Sequence, residues 1–265
     1  DQTVFSEVRQ QIYLETPGET PYARDLEIKN RFLNFLDSRD KARPFFSFLF
    51  FDAPHGYSYP PDYPGPFSPA QCDIDRLKLN RSLNPTEYRN CFLNAVHFVD
   101  SLVSAVIEKL RAGGLLENTV VVITGDHGEE FNDLKQNYWG HNNNYFKYQT
   151  QVPFIVSWPG KGAGDINHAT SHFDLTPTIL QNLLKCSEDP SSYSDGKDLF
   201  DPADRMPQIF GNWDHFCVAT KSRYDVFYDY GGVESFDSDY NPIDTPPPAE
   251  LMSTIPSRLG RFYSR

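Results

Sequence analysis

Positive charge is scarce in this chain. Against 36 acidic residues stand 24 lysines and arginines, a formal net charge of −12. A molecule of that sign repels polyphosphate, which excludes a general nucleic-acid partner and disfavours flat adsorption onto an anionic bilayer, although local basic patches can oppose the global sign. Long apolar runs are lacking too. The most apolar stretch, Arg43-Pro-Phe-Phe-Ser-Phe-Leu-Phe-Phe51, falls well short of the ~20 residues a membrane helix needs and reads instead as a central strand. The four cysteines, Cys72, Cys91, Cys186 and Cys217, include no C-x-x-C pair, so a zinc ribbon is excluded while two disulfides or four separate thiols stay open. Asp1-Gln-Thr-Val4 has neither the basic residue nor the apolar stretch of a signal peptide. No internal repeat is present.

What is abundant is aromatic, with 21 Phe and 15 Tyr in 265 residues. That length buries a full core as one large α/β domain or a domain with an appendage. From Tyr22 to Ser38, Leu26, Ile28, Phe32, Leu33, Phe35 and Leu36 recur at near-helical spacing and predict an amphipathic helix. The loop from His55 to Pro69 is rich in Tyr, Pro and Gly, a composition for a rigid lid or mouth. A long helix is expected with Asn84 as N-cap, Pro85 in its first position and a stop at Gly113-Gly114, burying Phe92, Val96, Val99, Val103, Val106 and Leu110, with His97 in the core. Strands over 119–124 and 152–157 and a helix over 174–185, N-capped by Asp174, follow. Beyond Pro202, short strand-like runs at 208–211, 216–220 and 225–230 predict an antiparallel meander, and Pro246-Pro-Pro248 precedes a last helix-like segment. The fold class read from this order is α/β, a mostly parallel central sheet flanked by helices with a small C-terminal antiparallel meander, divided as a core over 1–205 and a subdomain over 206–265.

The stretch Val120-Val-Val-Ile-Thr-Gly-Asp-His-Gly-Glu-Glu-Phe131 carries the chemistry. A buried strand ends on a glycine-softened loop that presents Asp126 beside His127, and reactive groups gather outside the carboxyl ends of such strands. An Asp oxygen and a His nitrogen suit Zn²⁺ or a related cation, and a polar strand exit is the bland alternative. His141 lies fourteen residues beyond His127 and reads either as a further ligand or as part of a solvated Asn-rich loop. His55 follows the strand at 45–51 and reads either as a site residue or as the end of a Pro-rich loop. His172 reads as structural.

In order along the chain, Ala53-Pro-His55, Asp126-His-Gly128, His141, Gln151-Val-Pro-Phe154 and Asp174-Leu-Thr-Pro-Thr178 resemble the motif series of the sulfatase and alkaline-phosphatase superfamily. Residues 170–184 with Tyr193-Ser-Asp-Gly-Lys-Asp-Leu-Phe200, Pro202 and Arg205 are more narrowly similar to the periplasmic domain of the PbgA/YejM family of inner-membrane proteins. The superfamily resemblance implies a divalent metal (Zn, Mn, Mg or Ca) held by Asp126, His127 and His141. It implies catalytic parts for His55 on the substrate side and for His141, and hydrolysis or transfer at a phosphoester or sulfoester. The narrower resemblance implies a soluble domain on the periplasmic face of the inner membrane that binds cardiolipin or lipopolysaccharide and serves outer-membrane lipid homeostasis. Such a ligand would engage the aromatic mouth, Tyr57 to Tyr63, or the arginines Arg258, Arg261 and Arg265. In a periplasmic setting the expected disulfide is Cys72 with Cys91, whose intervening loop is short and polar. None of Thr3, Ser6 or Thr16 stands in a recognisable nucleophile motif, so the expectation is a C-terminal part of a longer protein with the nucleophile and first metal carboxylate upstream.

Overall fold

The structure is a computed structural model that describes residues 16–260; Thr3, Ser6, Arg261 and Arg265 lie outside them. In chain order the elements are α1 (Pro21–Ser38), α2 (Thr86–Ala112), β1 (Val121–Thr124), β2 (Glu130–Phe131) and β3 (Trp139–Gly140). Then come α3 (Lys147–Thr150), β4 (Phe154–Ser157), α4 (Leu175–Thr178), β5 (Gln208–Gly211), β6 (His215–Ala219), β7 (Arg223–Tyr228), β8 (Val233–Asp237) and α5 (Ala249–Leu259). The chain forms two compact units. Of the described residues, the first takes those up to Thr124 with Glu130–Trp139 and Pro153–Lys161, and the second takes Gly125–Glu129, Gly140–Val152 and those from Gly162. This division does not follow the expected boundary at 205/206.

In the first unit the Thr20 side chain caps α1 by accepting from the Ala23 N–H, and Pro21 occupies the first turn, where no donor is lost. Phe32 and Leu36 of α1 pack on Val106 and Leu110 of α2, and Phe98 and Leu102 close over Ala53. Helix α2 begins just after the expected Pro85, which is its N-cap, while Asn84 Oδ1 accepts from Thr86 N and Oγ1 at 3.1 and 2.7 Å. Of the expected buried face, Val106 and Leu110 are buried, and the rest is a correction. Tyr88, Cys91, Ala95, Phe98, Leu102, Val106 and Leu110 are buried, whereas Val96 and His97 are exposed. Apolar residues recur along more than one stripe of the helix, Val96, Val99 and Val103 beside Phe98, Leu102 and Val106, and packing chooses between them. By length and composition alone α2 could cross a membrane, which corrects the expectation that no segment could. It nevertheless carries buried amides, Asn90 donating to Pro69 O at 2.8 Å and Asn94 bonding the Phe67 backbone in both directions at 3.0 Å. The Cys72–Cys91 disulfide ties the preceding loop to the same helix, as expected.

Strands β1 and β4 are neighbours, paired antiparallel with Ile123 opposite Ile155. The pairs of the C-terminal sheet are antiparallel as well, so neither of these two sheets, among the three in the described residues, is the mostly parallel one expected. Residues 45–51, expected as a core strand, carry no regular secondary structure. They keep a strand's alternation without its ladder: Phe45 and Leu49 turn into the helix cluster, while Phe46, Phe48 and Phe50 are 83%, 64% and 53% exposed. The following turn hangs on Asp25. This buried carboxylate accepts from Asp52 N and Ala53 N at 2.9 and 2.8 Å, and burial holds its pKa above the usual 3.8.

The second unit is built on the four-stranded meander β5-β6-β7-β8. Val218 and Phe227 on one face take Ile255 and Leu251 of α5; Cys217 and Val226 on the other take Tyr145. The expected helix at 174–185 forms as a tight turn at His172–Asp174, α4, and a widened turn over Ile179–Leu183. Asp174 is its anchor. One or other carboxylate oxygen accepts from Ser171 N at 2.8 Å, Lys197 N at 2.7 Å and Arg205 Nε at 2.8 Å, and Arg205 donates onward to the carbonyls of Asp198, Asp201 and Ala203.

Arg205→Met should destabilise the chain by about 3–5 kcal/mol, because it strands a buried carboxylate; Lys221→Met, which breaks an exposed pair with Asp204, should leave the urea midpoint unchanged. Equal midpoints for the two variants would refute the anchor. Asp25 gives a pH test. A raised carboxyl keeps its proton in the folded chain after the unfolded chain has lost it, so its contribution is complete below 3.8 and is lost as pH rises through the raised value. The stability of wild type relative to Asp25→Asn should therefore fall as pH rises above about 4 in urea titrations; a relative rise there would contradict the assignment.

Candidate functional site

The candidate site lies in the second unit, and its support starts at the C-terminal sheet. Tyr145 donates from its hydroxyl to His215 O at 2.8 Å, and the Phe146 ring packs on Phe236 and Tyr240 at 5.1 and 4.4 Å. Those two anchors fix the start of α3. Gln149, buried on α3, then bonds Asn143 twice, donating from Nε2 to Asn143 Oδ1 at 2.5 Å and accepting at Oε1 from Asn143 N at 3.3 Å. The loop that carries His141 is thus held from behind. The Asp-His-Gly loop is laid onto the same helix, with Gly128 N donating to Gln149 O at 2.8 Å. A Cβ at position 128 would stand 2.2 Å from Tyr148 O, so only glycine permits the approach.

That approach brings His127 onto His141. Their ring centroids are 4.0 Å apart with planes inclined by 31°. Glu129 completes the group: its Oε2 lies 2.7 Å from His141 Nδ1, and one ligand atom from each of His127, Glu129 and His141 falls within 4.8 Å of the others. The Glu129 and His141 side chains are 10% and 21% exposed, and His127 forms the rim at 38%. Two imidazole nitrogens and a carboxylate oxygen, partly withdrawn from water, are a donor set for a divalent transition metal.

Of the residues expected from sequence, His127 and His141 therefore come together. Asp126 stays close but apart from the triad: its carboxylate accepts from His127 N at 3.1 Å and has an oxygen 3.8 Å from His127 Nε2, with the side chain 66% exposed. His55 belongs to the first unit, where its Nδ1 lies 3.5 Å from Asp52 Oδ1 and Asp52 also pairs with Arg24 at 2.9 Å. The residue that sequence reasoning missed is Glu129. Its signal was present, an acidic pair directly after the Asp-His-Gly turn, but nothing in one dimension says which carboxylate turns inward.

A family model described as Sulfatase matches residues 2–183. Over 183 residues the chain is 32% identical to the inner membrane protein YejM of Salmonella typhimurium, an alignment covering 68% of this chain and 30% of that protein. It is 31% identical over 135 residues to the steryl-sulfatase of Rattus norvegicus, covering 46% of this chain and 22% of the enzyme. The chain thus spans less than a third of the length of these relatives. Among solved structures it is similar to a phosphonate monoester hydrolase of Agrobacterium radiobacter, with a TM-score of 0.64 and 17% identity over 93% of this chain and 60% of that one. A protein of the alkaline phosphatase superfamily from Vibrio parahaemolyticus gives a TM-score of 0.59 and 16% identity, covering 91% of this chain and 56% of that one. At such identities the likeness is one of fold.

The placement of His127 depends on the bare backbone at position 128. Gly128→Ala should cost about 1–3 kcal/mol of stability, the usual range for forcing an atom into a packed site. Gly162→Ala, whose Cβ would meet nothing within 4 Å, serves as the neutral control. Indistinguishable urea curves for the two variants would show that the loop is free to move.

Proposed function

The chain belongs to the sulfatase family, and on that premise we propose that it is a sulfatase-like domain on the periplasmic face of an inner-membrane protein, where it binds cardiolipin or lipopolysaccharide and serves outer-membrane lipid homeostasis. The observation that carries this reading is the 32% identity over 183 residues to an inner membrane protein. The Cys72–Cys91 disulfide supports it, because such bonds persist in oxidising compartments. The acyl-binding surface offered by the first unit is the row Phe46, Phe48 and Phe50, with the rings of Phe48 and Phe50 stacked at 6.3 Å. This row is a better candidate than the mouth expected from sequence. Tyr57 packs on Tyr88, Phe92 and Phe131 at 5.0, 5.5 and 6.0 Å, and Tyr63 meets His97 Nδ1 at 2.5 Å. Arg258, for its part, donates to Pro207 O. The acidic net charge makes nucleic acid an unsuitable partner.

A second reading, favoured by the juxtaposition of His127, Glu129 and His141, is metal-dependent hydrolysis or transfer at a phosphoester or sulfoester. A bound divalent ion would supply stabilisation of the charge that develops on the ester oxygens. Asp126, His127 and His141 are then the metal-side residues, and His141 also a group that meets the leaving group.

The two readings separate in vesicle co-sedimentation. Phosphatidylethanolamine vesicles with added cardiolipin or lipopolysaccharide should retain the chain, and replacing Phe46, Phe48 and Phe50 together by Ser should weaken binding by about ten-fold or more, a loss of ~1.4 kcal/mol. Asp126→Asn with His127→Ala should bind as wild type does. Absence of retention above phosphatidylethanolamine alone, together with phosphoester turnover abolished by the double variant, would favour the hydrolase.

A further inference from the structure

We infer that the end of the C-terminal sheet that carries the β5–β6 and β7–β8 turns docks a basic protein segment, whose arginines stack on Trp213 and on the ring pair Tyr228 and Tyr230. The surface lies within the second unit and uses none of His127, Glu129 and His141. It goes beyond the lipid reading and does not rest on it.

Aromatic rings gather there in the open. Register sets His215 opposite Tyr228, and the rings form a row: His215 stacks on Tyr228 and Tyr228 on Tyr230, each at 5.1 Å, with planes inclined by 28° and 16°. Tyr145 backs the row edge-on, its ring 5.3 Å from that of His215. A Cβ at position 232 would fall 2.5 Å from the Tyr230 ring, so bare backbone gives that ring its seat. Tyr230 is nevertheless largely exposed, and Trp213 wholly so. The turn that carries Trp213 is fixed: Asn212 Oδ1 accepts from Asp214 N and His215 N at 2.9 and 3.0 Å, and Asn212 N donates to His215 O at 3.0 Å. An indole left in water forgoes a large burial. Rigidly held tryptophan and tyrosine are the usual anchors of protein interfaces, because little entropy is lost when they are covered.

Charge selects the occupant. Residues 208–219 and 224–237 contain no lysine or arginine. The exposed Asp214 and Asp229 stand at the two tips, joined by Asp229 N donating to Asp214 O at 3.1 Å, and Glu234 borders the ring row by accepting from the Tyr228 hydroxyl at 2.9 Å. Like charges on neighbouring strands repel, and an incoming cation relieves that repulsion. A guanidinium meets both features at once, stacking on a ring face while donating to a carboxylate. An anionic headgroup is repelled, so this surface is not the one offered to lipid.

The test is fluorescence anisotropy of labelled hexa-arginine titrated with the whole chain, with labelled hexalysine and a neutral malto-oligosaccharide for comparison. Hexa-arginine should bind more tightly than hexalysine by about three-fold or more, because the planar guanidinium stacks better than an ammonium. Trp213→Ala with Tyr230→Ser should weaken its binding by about ten-fold. Asp214→Asn with Asp229→Asn should weaken it by about three-fold or more and flatten its salt dependence. All four substitutions fall on exposed side chains, and unchanged urea midpoints check the fold. Should a variant not fold, wild type decides: hexa-arginine should shift the indole N–H resonance of Trp213 and leave that of Trp158 in place. Undiminished binding by the ring variant would reduce the attraction to the net charge of −12 and overturn the proposal. So would equal affinity for the two cationic peptides, tighter binding of the oligosaccharide, or no selective indole shift. Self-association in sedimentation that the ring variant abolishes would make a second copy the occupant and overturn it too. Vesicle binding by the ring variant should match wild type, so the lipid reading and this one fail separately.

Discussion

No side chain can stand at position 128. Gly128 passes so close to the Tyr148 carbonyl that a single methyl would fall 2.2 Å from it, and that contact lays the Asp-His-Gly loop against α3. Everything in the candidate site depends on it. Without the approach, Gly128 N could not reach Gln149 O, and His127 would not share a neighbourhood with His141 and Glu129. The glycines of the motif are often credited with flexibility. Here the use is the opposite: absence of a side chain lets two backbone segments lock together.

Buried carboxylates supply the other fixed points, one in each unit and a third within the sheet. Asp25 gathers the N–H groups of Asp52 and Ala53, and Asp174 gathers those of Ser171 and Lys197 with the Arg205 guanidinium. Asp225 accepts from Arg223 and from Ser235 Oγ at 2.7 Å. For Asp25 and Asp174, irregular backbone, which has no ladder of its own, finds its acceptor in a carboxyl side chain. The Asp-x-x-Pro-Thr segment is therefore architectural: Thr178 Oγ1 donates to Asp174 O and accepts from Leu199 N, so the motif binds the following segment to the helix start.

Those two kinds of constraint explain which surfaces are left for function. Rings that sequence alone would offer as a mouth, Tyr57 and Tyr63, are spent on packing against α2. Phenylalanines that would be assigned to a core strand are exposed in alternate positions. The clustered donors His127, Glu129 and His141 belong to the second unit and the phenylalanine row to the first.

By itself the sequence determined whatever depends on neighbours along the chain. Helix α1, the extent of α2, the strand leading to Asp126, the C-terminal meander and the Cys72–Cys91 pairing were legible, because capping residues, glycine stops, alternation and a short intervening loop act over a few residues. The approach of His127 to His141, whose ring centroids lie 4.0 Å apart, was likewise expected, from the motif series that contains both. Tertiary structure decided the rest. Which apolar stripe of α2 is buried, that β1 and β4 run antiparallel, and that Glu129 rather than Asp126 turns toward the two imidazoles are outcomes of contacts between distant segments. A side chain's direction is set by what the backbone packs against, and that partner is named only when the chain has folded.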